Sequence, residues 1–284
     1  MEQPGQYRYL LVDVDGTLLD RSGRVSPRTL VALHRAAEAG IALVLATGRT
    51  YNSLRRVTAG LGLPPFHMIT NGGAVGLTPG GNEVRYTAYL PPEDWRAVVG
   101  ALHTDGLAPI VFSHRHPEPP LFHVDSESGG AHFDAYLGRN RQFRQLEPAL
   151  STAEIPRVVE VAALGRDAAF EAASSRLLER FSGRLRCHTM VLVLDQEPGR
   201  ITEFFAPGTS KWQAFLGLFP EAAGHPEQVI AIGDEANDVE MVSAAGLGIA
   251  MGNAVPAVQA VARRDTADQD HDGVAAALEA VLDG

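Results

Sequence analysis

Three aspartates of this 284-residue chain could together bind a metal ion. Asp13 and Asp15 are two residues apart at the end of one apolar stretch, and Asp234 follows another apolar stretch far along the chain. Carboxylate oxygens are the ligands that Mg²⁺ prefers, and this ion keeps water positions free for a substrate phosphate. The sequence therefore predicts an all-oxygen magnesium site.

The same aspartates could carry out phosphoryl transfer. Once a metal ion and a basic side chain offset the charge repulsion, Asp13 could attack phosphorus and form an aspartyl phosphate. Asp15 could protonate the leaving oxygen and afterwards activate water. Phosphoryl transfer also requires donors around the phosphate oxygens. A hydroxyl, an amide and an ammonium group are available from Thr47, Asn237 and Lys211.

Lys211 is the single lysine among 24 basic residues. A compact ammonium group can lie between a carboxylate and a phosphate, whereas a planar guanidinium needs more room and a fork-shaped partner. We therefore expect that arginine cannot replace this lysine.

The candidate residues follow short apolar stretches that are typical of buried parallel strands. The predicted strands are Tyr9–Val12, Ile41–Leu45, Phe66–Ile69, Val229–Ile232 and Leu247–Ala250. Helices are predicted between them, the first from the Ser26 N-cap to Gly40, another to about Leu61 and a third to about Ala245. Strands that alternate with helices predict an α/β fold with a doubly wound parallel sheet.

In such a sheet, ligands bind beyond the carboxyl ends of the strands. The polar residues expected at this edge are Asp13, Thr47, Asn71, Asp234 and Asn253. Their convergence predicts one functional site in the α/β part of the chain.

Residues 84–206 have a different character. Prolines cluster at 117–120, and five of the ten histidines lie between positions 103 and 132. We predict a helix over Gly165–Phe181 and a hairpin of Val191–Leu194 and Ile201–Phe205 with its turn at Glu197–Arg200. This segment is therefore predicted to be an α+β domain, inserted into a core formed by residues 1–83 and 207–284.

The composition, with 45% hydrophobic and 20% charged residues, is typical of a globular protein rather than a disordered or disulfide-stabilised one. A net charge of −10 argues against nucleic acid as a partner. The chain has no apolar run near the roughly 18 residues that a membrane span needs, and its first residues do not resemble a signal peptide. We expect a cytoplasmic protein without a membrane partner.

Four motifs, in this order, resemble those of the haloacid dehalogenase superfamily of aspartate-nucleophile phosphatases. They are Asp13–Asp20, Thr47–Arg49, Gly208–Lys211 and Gly233–Asp238. Thirty-four positions separate Asp13 from Thr47, whereas 164 separate Thr47 from Lys211 and leave room for a large cap domain. This cap position resembles the Cof-like subfamily IIB. The same subfamily is suggested by the segments Asn71–Gly73, Ala250–Ala254 and Asp272–Ala275.

The resemblance implies a Rossmann-like catalytic core, an inserted α+β cap and a role for each candidate residue. Asp13 would be nucleophile and metal ligand, Asp15 would be the general acid and base and bind metal through its backbone carbonyl, and Asp234 would complete the metal site. The phosphate would be held by Thr47, Gly48, Lys211 and Asn237. Supporting roles would fall to Asp238, Arg49 and Asn71.

The resulting hypothesis is a Mg²⁺-dependent phosphatase that acts on a small phosphorylated metabolite. A sugar phosphate is the first expectation, because such esters are the family's usual substrates. Two alternatives stay open, namely a phosphomutase of the same architecture and a protein that binds a phosphorylated ligand without turnover. The presence of Asp15 favours ester hydrolysis, since a binding protein does not need that acid.

Overall fold

The computed structural model describes residues 6–114, 121–194 and 196–283. The proline-rich segment 117–120 lies outside these residues. The chain forms two compact units, one composed of Met1–Thr87 and Ser210–Gly284 and the other of Ala88–Thr209. Among the described helices, none is both long and apolar enough to cross a membrane.

The strands, in chain order, are β1 (Tyr9–Asp13), β2 (Ala42–Ala46), β3 (Phe66–Thr70), β4 (Val75–Leu77), β5 (Val84–Thr87), β6 (Pro109–Ser113), β7 (Leu121–Val124), β8 (Arg144–Leu146), β9 (Val158–Gly165), β10 (Arg186–Leu194), β11 (Glu197–Phe205), β12 (Val229–Gly233), β13 (Leu247–Ala250) and β14 (Arg264–Asp265). The α-helices are α1 (Pro27–Glu38), α2 (Tyr51–Thr58), α3 (Pro92–Thr104), α4 (Ala131–Arg139), α5 (Ala168–Phe181), α6 (Lys211–Leu218), α7 (Val239–Ala244), α8 (Pro256–Gln259) and α9 (Gly273–Leu282).

The first unit contains an eight-stranded sheet in the order β14-β13-β12-β1-β2-β3-β4-β5. The strands from β14 to β3 are parallel, and β4 and β5 extend the sheet in antiparallel pairing. All five predicted strands are present, which confirms the α/β prediction. The short strands β4, β5 and β14 were not predicted. Because β5 belongs to this sheet, the unit extends beyond the predicted boundary at residue 83.

The central strand β1 places the candidate site. Every residue of β1 is buried, and β1 pairs with β12 on one side and with β2 on the other. Val12 is level with Leu45 and Ile232, so the residues that follow these three strands emerge at one edge of the sheet. This register brings together segments more than 200 positions apart in the chain.

The predicted first helix is confirmed, and the second is shorter than predicted. The Ser26 hydroxyl caps α1 by accepting a hydrogen bond from the backbone N–H of Thr29 at 3.0 Å. Helix α2 ends at Thr58 rather than near Leu61, because Ala59 has an extended backbone and Gly60 adopts a positive φ of 75°. Glycine adopts this conformation at little cost and so ends a helix readily.

The second unit contains a six-stranded sheet in the order β10-β11-β9-β6-β7-β8, in which β7 and β8 pair in parallel and the other described pairs are antiparallel. Helices α3 and α5 bury apolar residues against this sheet, among them Trp95, Val99 and Phe170. The unit therefore has the α+β character that the sequence predicts.

Two local predictions in this unit are wrong. Helix α5 begins at Ala168, not at Gly165, because Gly165 pairs with Arg200 in the sheet. The turn is not at Glu197–Arg200 either, because Leu194 pairs with Glu197 and residues 197–200 belong to β11. The pairing of β11 with two neighbouring strands outweighs the turn preference of the proline and glycine in this segment.

Candidate active site

A buried ammonium group lies between two carboxylates at the carboxyl end of β1. Lys211, the first residue of α6, donates hydrogen bonds from Nζ to Oδ1 of Asp13 at 2.5 Å and to Oδ1 of Asp238 at 2.6 Å. Its side chain is 1% exposed. The Ser210 hydroxyl caps α6 by accepting from the backbone N–H of Gln213 at 3.1 Å. The helix start thereby fixes the base of the lysine side chain.

Asp238 is fixed from both sides. Its Oδ1 accepts the hydrogen bond from Lys211, and its Oδ2 accepts hydrogen bonds from the backbone N–H groups of Asp234 at 3.1 Å and Glu235 at 3.0 Å. The neighbouring Asn237 accepts a hydrogen bond from Lys211 at 3.3 Å through its side-chain oxygen. Asp238 thus links the loop after β12 to the lysine.

A third carboxylate completes the acidic cluster. Asp234 directly follows β12, and its Oδ1 accepts a hydrogen bond from the Thr17 hydroxyl at 2.7 Å. One carboxylate oxygen from each of Asp13, Asp234 and Asp238 lies within 4.8 Å of the other two. The donor set is entirely oxygen. The three carboxylates can carry more negative charge than the single positive charge of Lys211 offsets. Both properties fit a hard divalent cation such as Mg²⁺.

The proton affinities in this cluster reflect burial and mutual repulsion. Burial raises the pKa of Asp13 well above its ordinary value; Lys211 opposes this shift, and the carboxylates of Asp238 and Asp234 add to it. Burial likewise raises the pKa of Asp234 to about 7, although the hydrogen bond from Thr17 acts in the opposite direction. Burial alone would lower the pKa of Lys211, but the charges of Asp13 and Asp238 outweigh it and raise that pKa.

Gly16 allows the loop after β1 to approach Asp234. Its φ is +84°, and a Cβ atom at this position would overlap with the Asp234 carboxylate. Any other residue would therefore have to adopt an unfavourable backbone conformation and displace the carboxylate. The glycine between Asp15 and Thr17 is thus required by the geometry of the site.

Asp15 lies outside the buried cluster and is paired with Arg49. Its side chain is half exposed, and Arg49 donates to both of its oxygens, from Nε at 2.7 Å and from Nη2 at 2.6 Å. Arg49 Nη1 also donates to the Ser53 hydroxyl of α2 at 3.0 Å. This two-point contact fixes the direction of the Asp15 carboxylate.

The loop after β2 carries the second predicted motif. The Thr47 hydroxyl accepts a hydrogen bond from the backbone N–H of Arg49 at 3.1 Å, and Thr50 caps α2. Gly48, between Thr47 and Arg49 in the chain, is half-buried. Asn71 N–H donates to the Arg49 carbonyl at 2.9 Å, which ties the loop after β3 to this loop.

The segment Asn71–Gly73 also supports Lys211. Gly73 has a φ of +107°, and a Cβ atom there would overlap with the backbone of Ser210. The turn after β3 therefore packs directly on the first residues of α6. This close packing gives a physical reason for the glycine at position 73.

The structure thus places the predicted residues in two connected groups. The first group, around the Lys211 ammonium group, contains Asp13, Asp234, Asn237 and Asp238. The second group, in the adjoining loops, contains Asp15, Thr47, Gly48, Arg49 and Asn71. Their functional roles stay predictions at this point.

Two further residues of the site were not assigned a role from the sequence. Thr17 donates to Asp234, and Asn253 Nδ2 donates to Asp234 Oδ2 at 3.1 Å. Thr17 lies within the first motif, and Asn253 is among the polar residues expected at the sheet edge. Their positions in the sequence therefore indicate that both residues lie near the site. The sequence does not indicate that both donate to Asp234.

This fold and site define a haloacid dehalogenase-like hydrolase, and residues 10–278 match that family. The chain belongs to the family of haloacid dehalogenase-like hydrolases. The match covers nearly the whole chain and confirms the resemblance of its motifs.

Three similar proteins match this chain over nearly their full length. The pyridoxal phosphate phosphatase YbhA of Escherichia coli (strain K12) is 29% identical over 279 residues, covering 94% of this chain and 96% of that protein. A haloacid dehalogenase-like hydrolase from Bacteroides thetaiotaomicron has a TM-score of 0.76 and 25% identity, covering 97% of this chain and 99% of the other. A subclass IIB sugar phosphatase shares the fold, with a TM-score of 0.74, 22% identity and coverage of 96% of this chain and 98% of its own. The chain is a phosphatase of the haloacid dehalogenase-like family.

Proposed function

We propose that the chain hydrolyses a small phosphorylated metabolite through a phosphorylated Asp13, with Mg²⁺ as cofactor. The observation that carries this proposal is the contact of Lys211 with Asp13 and Asp238 beside Asp234, at the carboxyl end of the central strand. In this arrangement a buried carboxylate, a fixed cation and a metal-binding oxygen set share one small volume.

Asp13 is the nucleophile in this scheme. Its Oδ1 accepts the hydrogen bond from Lys211, which leaves Oδ2 to attack phosphorus. The bond between phosphorus and the ester oxygen breaks as the bond to Asp13 forms. Asp15, two positions along the chain, carries a proton at this stage and gives it to the leaving oxygen, which leaves the ionised carboxylate that accepts from Arg49.

The second step returns the enzyme to its starting state. A water molecule attacks phosphorus and gives a proton to Asp15, and the bond between phosphorus and Asp13 breaks. Inorganic phosphate is then released. Arg49 holds Asp15 in the loop between these two steps.

The metal site would be formed by Asp13, Asp234 and the backbone carbonyl of Asp15, with Asp238 in support. Mg²⁺ bound there would offset the negative charge of the phosphate during transfer. The phosphate oxygens would be held by the Thr47 hydroxyl, the Gly48 N–H, the Lys211 ammonium group and the Asn237 amide. Each of these groups is a donor, as a phosphate requires. The three N–H groups of Lys211 contact Asp13, Asp238 and Asn237, so the N–H on Asn237 would turn to the phosphate.

A sugar phosphate is our first substrate class. One structural neighbour is named a sugar phosphatase, and one relative is named a pyridoxal phosphate phosphatase. The substrates in both names are small phosphorylated molecules. A screen of sugar phosphates, nucleotides and cofactor phosphates with the purified protein tests the choice.

The mechanism is tested with Asp13→Asn and p-nitrophenyl phosphate in the presence of Mg²⁺. We expect no turnover, because an amide oxygen is a poor nucleophile and cannot form the acyl phosphate. Asp265→Asn makes the same chemical change at an exposed position of β14 and should retain wild-type activity. Full activity of Asp13→Asn would contradict the aspartyl-phosphate mechanism. Release of inorganic phosphate at the rate of ester loss distinguishes hydrolysis from a phosphomutase reaction.

A further inference from the structure

The loop between β13 and α8 is held rigidly against the loop after β12. Met251 N–H donates to the Gly233 carbonyl at 3.1 Å, and Val255 N–H donates to the Asp234 carbonyl at 2.8 Å. Asn253 lies between these two anchors. These backbone hydrogen bonds therefore fix the position of Asn253 relative to Asp234, independently of the Asn253 side chain.

The side-chain amide of Asn253 bridges three segments. Its Nδ2, which carries two N–H groups, lies within hydrogen-bond distance of three acceptors: the Gly16 carbonyl at 2.8 Å, Asp234 Oδ2 at 3.1 Å and, most distant, Gln269 Oε1 at 3.3 Å. Its Oδ1 accepts from the Gln269 backbone N–H at 3.0 Å. The Gln269 N–H can only donate and the Gly16 carbonyl can only accept, so the orientation of the amide is determined by its partners.

Together with Thr17, Asn253 fixes the Asp234 carboxylate. Thr17 donates to Oδ1 and Asn253 donates to Oδ2, so each oxygen has a donor from a different loop. A carboxylate oxygen has two lone pairs. One lone pair of each oxygen therefore stays available for a cation while the plane of the carboxylate is held in place.

The bond to Gly16 extends this control to the loop after β1. Gly16 follows Asp15, whose backbone carbonyl is a proposed metal ligand, and precedes Thr17, which itself holds Asp234. A single amide thus connects the two chain segments that the metal site needs at a fixed separation. The side chains at positions 253 and 269 contribute no charge to the site, so their effect is on geometry.

We infer that Asn253 is a positioning residue for the Mg²⁺ site, which sets the Asp234 carboxylate and the Asp15–Thr17 loop in the arrangement that binds the ion. This inference rests on the metal site of the proposed function. Residues that orient metal ligands typically contribute a factor of about 10 to 100 to metal affinity. We expect a loss of that size when the amide is removed.

The test is a calorimetric titration of Asn253→Ala with Mg²⁺ alone, without substrate. We expect binding about 10- to 100-fold weaker than in the wild type. Asn82→Ala is the matched control, because the Asn82 amide donates to the Pro79 carbonyl in an exposed turn. It should bind Mg²⁺ like the wild type. For Asn253→Ala, most of the lost kcat with p-nitrophenyl phosphate should return at correspondingly higher Mg²⁺ concentrations.

A second measurement needs no metal. Hydrogen exchange of the backbone amides in residues 13–20, followed in EDTA, should be faster in Asn253→Ala and unchanged in Asn82→Ala. If the alanine variant does not fold, Asn253→Asp keeps the size of the side chain and the acceptor for Gln269. Its repulsion from the Asp234 carboxylate and the Gly16 carbonyl should likewise increase exchange in this segment.

The outcomes separate this inference from the proposed function. A folded Asn253→Ala variant with wild-type Mg²⁺ affinity and wild-type exchange in residues 13–20 would overturn the role of Asn253. Absence of Mg²⁺ binding to the wild type would instead refute the metal site of the proposed function, and the exchange measurement would still decide whether Asn253 holds the loop.

Discussion

Replacement of Asp234 by asparagine should stabilise the metal-free protein at neutral pH while removing its response to Mg²⁺. Burial raises the pKa of Asp234 from an ordinary value of 3.8 to about 7. The folded state therefore binds a proton more tightly than the unfolded chain. Stability contributed by this group falls as the pH rises from about 4 to about 7, because ionisation of a buried carboxylate opposes folding.

The magnitude follows from the size of the shift. A difference of about three pKa units, at 1.36 kcal/mol each, corresponds to about 4 kcal/mol between pH 4 and pH 7. The asparagine is neutral throughout, but its NH₂ group replaces one of the two oxygens that accept from Thr17 and Asn253, so one of these hydrogen bonds is lost or reversed, which costs about 1–2 kcal/mol. We therefore expect Asp234→Asn to be about 2–3 kcal/mol more stable than the wild type at pH 7.5, and slightly less stable at pH 4.5.

Urea unfolding in EDTA at pH 4.5, 6.0 and 7.5 measures this effect. Trp212 in α6 reports on the unit that contains the site, and Trp95 in α3 reports on the other unit. Asp265→Asn should show the pH dependence of the wild type, because its side chain is exposed. Added Mg²⁺ should stabilise the wild type at pH 7.5 but not Asp234→Asn. A stability difference between variant and wild type that stays constant from pH 4.5 to 7.5 would refute the reasoning.

Three further substitutions follow from the same contacts. Lys211→Arg should lower kcat for p-nitrophenyl phosphate about 10²- to 10³-fold with an unchanged circular dichroism spectrum, since a guanidinium does not fit the position of the buried ammonium group; near-normal kcat would contradict this. Arg49→Ala should reduce hydrolysis of an alkyl phosphate more than that of p-nitrophenyl phosphate, because the poorer leaving group depends more on the proton from Asp15; equal losses would argue against a role in proton transfer. Gly73→Ala should lower the free energy of unfolding by about 3 kcal/mol, because φ is positive and the new methyl group would overlap with Ser210; urea unfolding measures the change.

Much of the first unit follows from local patterns. Mainly apolar stretches of four or five residues, each ended by polar residues, predict β1, β2, β3, β12 and β13 because parallel strands are buried on both faces. The strands β4, β5 and β14 have two to four residues and pair at or near the edge of the sheet. Such short segments carry too little periodicity to be recognised, and their pairing depends on neighbours that are distant in sequence.

The errors in the second unit have a related cause. Glu197–Arg200 contains the residues typical of a turn, yet it pairs with β10, and Arg200 pairs also with Gly165 of β9. The local residue preference predicts a turn, but hydrogen bonds to the neighbouring strands β10 and β9 keep this segment in a strand. The same pairing places Gly165 in a strand and delays the start of α5 to Ala168.

The sequence by itself determined that the first, second and fourth motifs reach the carboxyl edge of the sheet, because strand ends follow from hydrophobic patterning and these motifs lie at the ends of β1, β2 and β12. The third motif, Gly208–Lys211, follows β11 of the other sheet, so only the tertiary structure places Lys211 at this edge. The tertiary structure decided which groups contact one another. Lys211 was expected between a carboxylate and a phosphate, and it contacts two carboxylates, those of Asp13 and Asp238. Asp15 accepts hydrogen bonds from Arg49, and Asn253 links the loop after β1 to Asp234. These contacts depend on strand register, loop conformation and burial across more than 200 residues, which local sequence does not encode.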